Sequence, residues 1–258
     1  MNRPLVSIIT PSYNQGDYIE ETIRSVLTQS YPDIEYIILD ALSTDNTHDI
    51  LDKYEKHPRM SKIIREKDRG QSDAICKGFR MAKGEIVGWI NSDDILADDV
   101  VERSVEFFQN DGKVALTYGD VTFVDSRGNI IKIRIPHPSI TKDYLLNIDY
   151  DVCQPGSFYR KSVVEKVGYL NQGLNFCMDL DLWLNILTTH EARYIGTSAA
   201  LFRWHESSKT VNGGQLFLNE IYMTLVRHDA RIVAETKRRI LWYSLKTVLK
   251  KSFSRIGA

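Results

Sequence analysis

Cysteine is scarce: Cys76, Cys153 and Cys177 are far apart, odd in number and in no C-x-x-C spacing. That argues against a disulfide framework or a zinc ribbon and fits a reducing cytosol. Long apolar runs are missing; none approaches the roughly 20 residues that a spanning helix needs. The apolar stretch ending at Pro11 reads as too short for a signal-peptide core. An excess of one charge is also missing, with 33 basic and 34 acidic residues and a net charge of −1 over 258 residues. Such a balance gives no electrostatic case for nucleic acid. The sequence has no G-x-x-x-x-G-K-[ST], no G-x-G-x-x-G after the first strand, and no G-x-S-x-G. Those absences weigh against P-loop enzymes, classical dinucleotide enzymes and serine hydrolases. The expected location is cytoplasmic, with peripheral attachment to the inner face of the plasma membrane left open.

What is present alternates strand and helix. Leu5 to Thr10, Tyr36 to Leu39, Lys62 to Arg65 and Glu85 to Asn91 read as strands. Helical patterns lie between them, including Ile19, Ile23, Val26 and Leu27 on one face. This order predicts an α/β fold, a mainly parallel sheet with helices on both faces. Such sheets bind ligands at the carboxyl ends of their strands. The residues there are Pro11, Ser12, Tyr13 and Asn14, then Asp40, then Asn91 to Asp94. They are expected to meet at one crevice. Further on, 121–124 and 130–135 read as a hairpin, 178–188 as a helix and 193–204 as a strand region.

Asp93 and Asp94 allow two readings. Ile95 to Asn110 looks helical, so the acids could cap that helix. Two carboxylates 4 Å apart repel by ~4 kcal/mol at an effective dielectric of 20. A divalent cation reverses that term, and Mg²⁺ or Mn²⁺ is commonly held by one or two carboxylates plus substrate phosphates. Asp179 and Asp181 lie two apart on a helix, so only one can face a given site. An acid beside Trp183 could have its pKa raised and act as a general base, or both acids could be solvated. His205 could complete a metal site or be an ordinary loop residue. Tyr13 could stack on a base or merely pack. Arg69 and Lys77 could be phosphate counter-charges or surface residues.

Seven stretches, in order, carry a resemblance: "VSIITPSYNQGDYIEETIRSVLTQSYPDIEYIILD", "STDNT", "DRGQSDAICKGFRMAKGEIVGWINSDD", "YGD", "QPGSFYRKSVVEKVGYL", "MDLDLWL" and "RWHESSKT". Together they resemble the family 2 glycosyltransferases, inverting enzymes with the GT-A fold. The resemblance implies that Pro11, Ser12, Tyr13 and Asp40 hold the donor nucleoside. Arg69, Gln71 and Asp73 would line the donor site. Asp93 would lie near the ribose or diphosphate, and Asp94 would be the principal ligand of Mn²⁺ or Mg²⁺, with Asp93 and His205 beside it. Asp179 would be the catalytic base. Gln154, Pro155, Gly156 and Trp183 would line the acceptor or donor-sugar region. The implied donor is a UDP-sugar, with dTDP- and GDP-sugars as alternatives. The implied acceptor is a glycan or lipid-linked sugar in bacterial surface polysaccharide synthesis.

One departure concerns Ala41-Leu42, where the family usually has Gly-Gly after the aspartate. Glycines there would permit positive φ and close approach of a ligand. Two rival readings stay open at this point: a sugar nucleotidyltransferase and a non-catalytic nucleotide- or glycan-binding subunit. The expected organisation is a GT-A domain over 1–214 and a helical, basic amphipathic extension over 215–258. Between Lys237 and Arg255 there is no acid. Such a helix suits an anionic membrane surface or simply packs on the domain. The oligomeric state is not read from the sequence.

Overall fold

The computed structural model describes residues 3–206 and 208–231. The basic stretch from Lys237 onward, with its expected membrane contact, lies outside the described residues. Among the described residues no helix is long and apolar enough to cross a membrane.

The first half is a parallel sheet. Strands β1 (Val6–Ser12), β2 (Ile34–Asp40), β3 (Met60–Arg65) and β4 (Ile86–Trp89) stand in the order β3-β2-β1-β4. All their pairings are parallel. Every residue of β1 and β2 is buried, because helices cover both faces. Helices α1 (Ile19–Leu27) and α2 (Thr47–Tyr54) pack on one face. Helix α3 (Gln71–Met81) packs on the other. The chain winds outward from β1 to β3 and then crosses back to β4. The reversal leaves a crevice beyond the carboxyl ends of β1 and β4.

The second half makes the sheet mixed. Strand β5 (Ile95–Leu96) is followed by helix α4 (Val100–Asn110) and the long strand β6 (Val114–Val124). Strand β7 (Ile130–Arg134) returns against β6 as the expected hairpin. A short helix α5 (Lys142–Asn147) leads to β8 (Phe158–Arg160), which joins the two halves by antiparallel pairing to both β4 and β6. Helices α6 (Lys161–Lys166) and α7 (Met178–Ile186) precede β9 (Glu191–Arg203), which runs parallel to β6. Two helices, α8 (Lys209–Asn212) and α9 (Gly214–Arg227), close the described chain.

Two differences from the sequence reading matter for the site. Ile95 and Leu96 are not helical; they pair with Leu201 and Ala200 of β9. Helix α4 starts five residues later, so Asp93 and Asp94 do not cap it. Continuing the β5–β9 register brings Asp93 opposite Arg203. In addition, Ile221 and Leu225 of α9 belong to the main core cluster beside α7. The expected extension up to Arg227 is therefore packed into the domain.

Candidate active site

The loop after β1 and the loop after β2 are laced together. Asn14 N–H donates to Ser43 Oγ at 2.8 Å, and Thr44 N–H donates to Asn14 Oδ1 at 2.7 Å. Asp40, 1 % exposed, anchors this loop. Its carboxylate accepts from Ser43 N–H (2.8 Å) and Ser43 Oγ (2.5 Å) and lies 2.7 Å from His48 Nε2. Leu42 takes φ +62° and stays exposed. The backbone thus adopts a conformation that glycine would adopt without strain, with leucine in its place. Pro11 and Ser12 are buried and Tyr13 is exposed on the crevice rim. Ser12 Oγ is buried with no hydrogen-bond partner, beside Asp40 in the β1–β2 register. An orphaned hydroxyl at a ligand crevice is a place for a ligand's polar group.

At the end of β4 the two acids part company. Asp94 is 1 % exposed and turned inward. Its Oδ1 accepts from Arg203 N–H at 3.0 Å and its Oδ2 from Asn91 Nδ2 at 3.1 Å. Burial pushes its carboxyl well above the usual range; the charge of Asp93 adds to this, and the two hydrogen bonds and Arg203 oppose it. Asp93 is the outward member. Its Oδ2 lies 3.0 Å from His205 Nε2, with side-chain exposures of 19 % and 6 %. Asp94, expected as the principal metal ligand, has both carboxylate oxygens engaged by the protein here.

Arg203, which the sequence reading overlooked, is the hub of this corner. Its guanidinium is 3 % exposed. It donates to Asp93 O (3.1 Å), to Ser126 O (3.4 Å) and to Glu21 (2.5 Å), and sits 4.9 Å from the Tyr18 ring centroid. Strand alternation could have found it: residues 203 and 205 share one face of an extended segment.

The donor-side segment is mostly tied within itself. Asp73 is held by Arg69 (3.0 Å) and Lys77 (3.4 Å), and the Arg69 hydrogen bond keeps its carboxyl below the usual range. Arg69 also donates to Gln172. These contacts account for Asp73 without a ligand. Gln71 is placed differently. Its Nε2 donates to Asn91 Oδ1 at 2.7 Å, and its Oε1 accepts from Lys209 Nζ at 3.2 Å. A chain of contacts thus runs from Asp94 through Asn91 and Gln71 to Lys209.

Lys209 is also close enough to Asp179 for each charge to affect the other. Burial raises Asp179 from 3.8 to about 6; Leu180 N–H opposes this, Asp151 adds to it, and Lys209 opposes it. The alternation argument for 179 and 181 is settled by geometry. Asp181 points the other way, onto His228 Nε2 (2.9 Å) and Arg227 (3.2 Å) of the α9 end. Trp183 is fully buried and donates from Nε1 to Tyr159 Oη at 3.1 Å. It belongs to the main core cluster, where the expectation put it in a sugar region. Gln154, Pro155 and Gly156 are likewise buried. The Gln154 amide donates to Trp89 O, and Gly156 at φ +75° lies against Ala199.

Residues 7–168 match the family described as Glycosyl transferase family 2. The chain belongs to that family. It is a glycosyltransferase of GT-A fold. A protein of Bacillus subtilis (strain 168), TuaG, named for teichuronic acid biosynthesis, is 33 % identical over 222 residues, which is 81 % of this chain and 86 % of TuaG. Chondroitin synthase of Escherichia coli is 30 % identical over 71 % of this chain, but the match spans only 26 % of that enzyme. Among solved structures, S. aureus TarS 1–349 in complex with UDP-GlcNAc superposes with TM-score 0.68 at 18 % identity, covering 98 % of this chain and 74 % of that one. The mannosyltransferase PcManGT from Pyrobaculum calidifontis, in complex with GDP-Man and Mn²⁺, gives 0.66 at 18 % identity, covering 100 % and 77 %. Family membership removes the nucleotidyltransferase and the non-catalytic subunit as readings.

Proposed function

We propose that this glycosyltransferase moves a sugar from a UDP-sugar to a hydroxyl of a glycan or lipid-linked acceptor, by a single inverting displacement. The observation that carries the reading is a chain of side-chain contacts between two acids. Asp94, next to the Asp93–His205 pair, bonds Asn91, which bonds Gln71, which bonds Lys209, whose charge bears on the desolvated Asp179. TuaG, named for teichuronic acid biosynthesis, supports a cell-envelope polysaccharide as the acceptor class.

The donor set suits a divalent ion. Asp93 and His205 supply one carboxylate and one imidazole at a partly open position. Among the described residues no third His, Cys, Asp or Glu joins them. Two protein ligands with the remainder from a diphosphate is the usual arrangement for Mg²⁺-type ions. Bound there, the ion would act as a Lewis acid against the charge on the leaving diphosphate. Asp94 and Arg203 hold the peptide that presents Asp93. Pro11, Ser12, Tyr13 and the Asp40 loop receive the nucleoside. Asp179 takes the proton from the acceptor hydroxyl. The freed oxygen attacks the anomeric carbon from the face opposite the nucleotide, so that centre inverts and no enzyme nucleophile is needed.

A thermal-shift screen of UDP-, dTDP- and GDP-sugars, with and without Mn²⁺, tests this reading. The expected result is the largest rise in Tm with a UDP-sugar, seen only with the metal. Equal shifts in EDTA, or none with any UDP-sugar, would overturn it.

A further inference from the structure

Helix α7 begins without a cap of its own. Its N-cap residue, Cys177, makes no side-chain capping bond. The amides that precede the helix are free to seek another acceptor, as first-turn amides must. They find Glu220, in the middle of α9. Its carboxylate accepts from Asn175 N–H at 3.0 Å, Phe176 N–H at 2.5 Å and Cys177 N–H at 2.8 Å. A carboxylate at a helix N-terminus is favoured both by these bonds and by the helix dipole. Here it comes from a different helix, 43 to 45 residues further along the chain.

The same helix grips α7 a second time. Asp181, 4 % exposed, receives His228 and Arg227 from the far end of α9. Ile221 and Leu225, on the intervening turns, pack into the core cluster that holds Leu180, Leu182 and Trp183. Asp179 therefore sits between two anchors, both made by α9. Its own carboxylate accepts from the neighbouring Leu180 N–H at 2.8 Å. The amides at the start of that turn are tied by α9.

We propose that α9 is a positioning element of the catalytic centre, with Glu220 setting the first turn of α7 and thereby the place of Asp179. This rests on the reading of Asp179 as the base. Glu220 is a positioning residue and touches no substrate. A base displaced by about 1 Å can lose on the order of 100-fold in rate, so the effect belongs in kcat and not in donor binding.

The test uses the full chain, Mn²⁺ and the nucleotide-sugar that gives the largest thermal shift, with Glu220→Ala, the isosteric Glu220→Gln and Asp179→Asn in parallel. Hydrogen exchange of amides 175–181 is followed beside steady-state kinetics. In Glu220→Ala, exchange over 175–181 should quicken at least tenfold. Its kcat should fall roughly 10- to 100-fold while donor KM stays within twofold, with Glu220→Gln in between. The acid limb of its kcat profile should move down from about 6 as the turn opens to water, since Asp151 and Lys209 are the other charges that bear on Asp179. Unchanged exchange, or unchanged kcat despite faster exchange, would overturn the proposal. So would a parallel loss of kcat and donor affinity. Should Glu220→Ala not fold, the same criteria apply to Glu220→Gln. Full turnover by Asp179→Asn would instead reject the base, while the exchange data would still report on the turn.

Discussion

Turnover should drop about tenfold when the pH is lowered from 7 to 5, with metal and donor kept saturating. The perturbed group is Asp179, which burial raises to about 6. A base must be ionised to act. With a midpoint of about 6, roughly 90 % of Asp179 is carboxylate at pH 7 and roughly 10 % at pH 5. An unperturbed aspartate, with a midpoint near 3.9, would still be about 90 % ionised at pH 5. The sign for stability is opposite. A carboxyl whose folded pKa is raised stabilises the fold most below its unfolded pKa, and that contribution is lost as pH rises through the folded value. Asp179 therefore does not drive unfolding between pH 7 and 5, and activity should fall before the fold does. The assay is kcat at half-unit steps from pH 4.5 to 8.5, with a melting curve at each point. A limb centred near pH 4, or the same limb in the residual activity of Asp179→Asn, would refute the reasoning.

Three further outcomes follow from the geometry. Arg203→Ala removes the buried guanidinium that donates to Asp93 O, Ser126 O and Glu21; a loss of about 1–3 kcal/mol is expected, the range for buried hydrogen-bond partners left unsatisfied, read by denaturant melts. Leu42→Gly relieves a left-handed leucine that is 46 % exposed, so a gain of about 0.5–1 kcal/mol is expected; a loss in calorimetry would mean that its side chain carries packing. Gly156→Ala would put a Cβ 2.6 Å from Ala199 O at φ +75° and should cost at least about 2 kcal/mol, seen as a lowered Tm; no change in Tm would show that the wall between β8 and β9 can yield.

Much of the fold was legible because its central strands are buried on both faces and read as unbroken apolar runs. The hairpin around Gly128 and the helix carrying Asp179 were legible by turn chemistry and periodicity. Ile95-Leu96 was misread as helix because a two-residue strand has no period of its own; its partner β9, a hundred residues away, decides it. The same long-range pairing hid which of two adjacent acids faces outward. Adjacent residues in an extended segment point to opposite sides, and only the register selects the buried one. Glu220 acts on an element more than forty residues away, so composition and spacing gave no hint of it, whereas Arg203 was within reach of strand alternation with His205. Trp183 illustrates the converse, since an aromatic one helical turn from an acid is equally what a core needs.

The account's central claim is that Asp93 and His205, with Asp94 as their buried support, join a divalent ion to the donor's diphosphate. Calorimetric titration of UDP tests it most directly, in Mn²⁺ and in excess EDTA, on the unaltered protein, Asp93→Asn and His205→Ala. The predicted result is that UDP affinity falls at least tenfold on chelation, and that either substitution removes most of the metal dependence. Equal affinity with and without metal, or full metal dependence in Asp93→Asn, would contradict it.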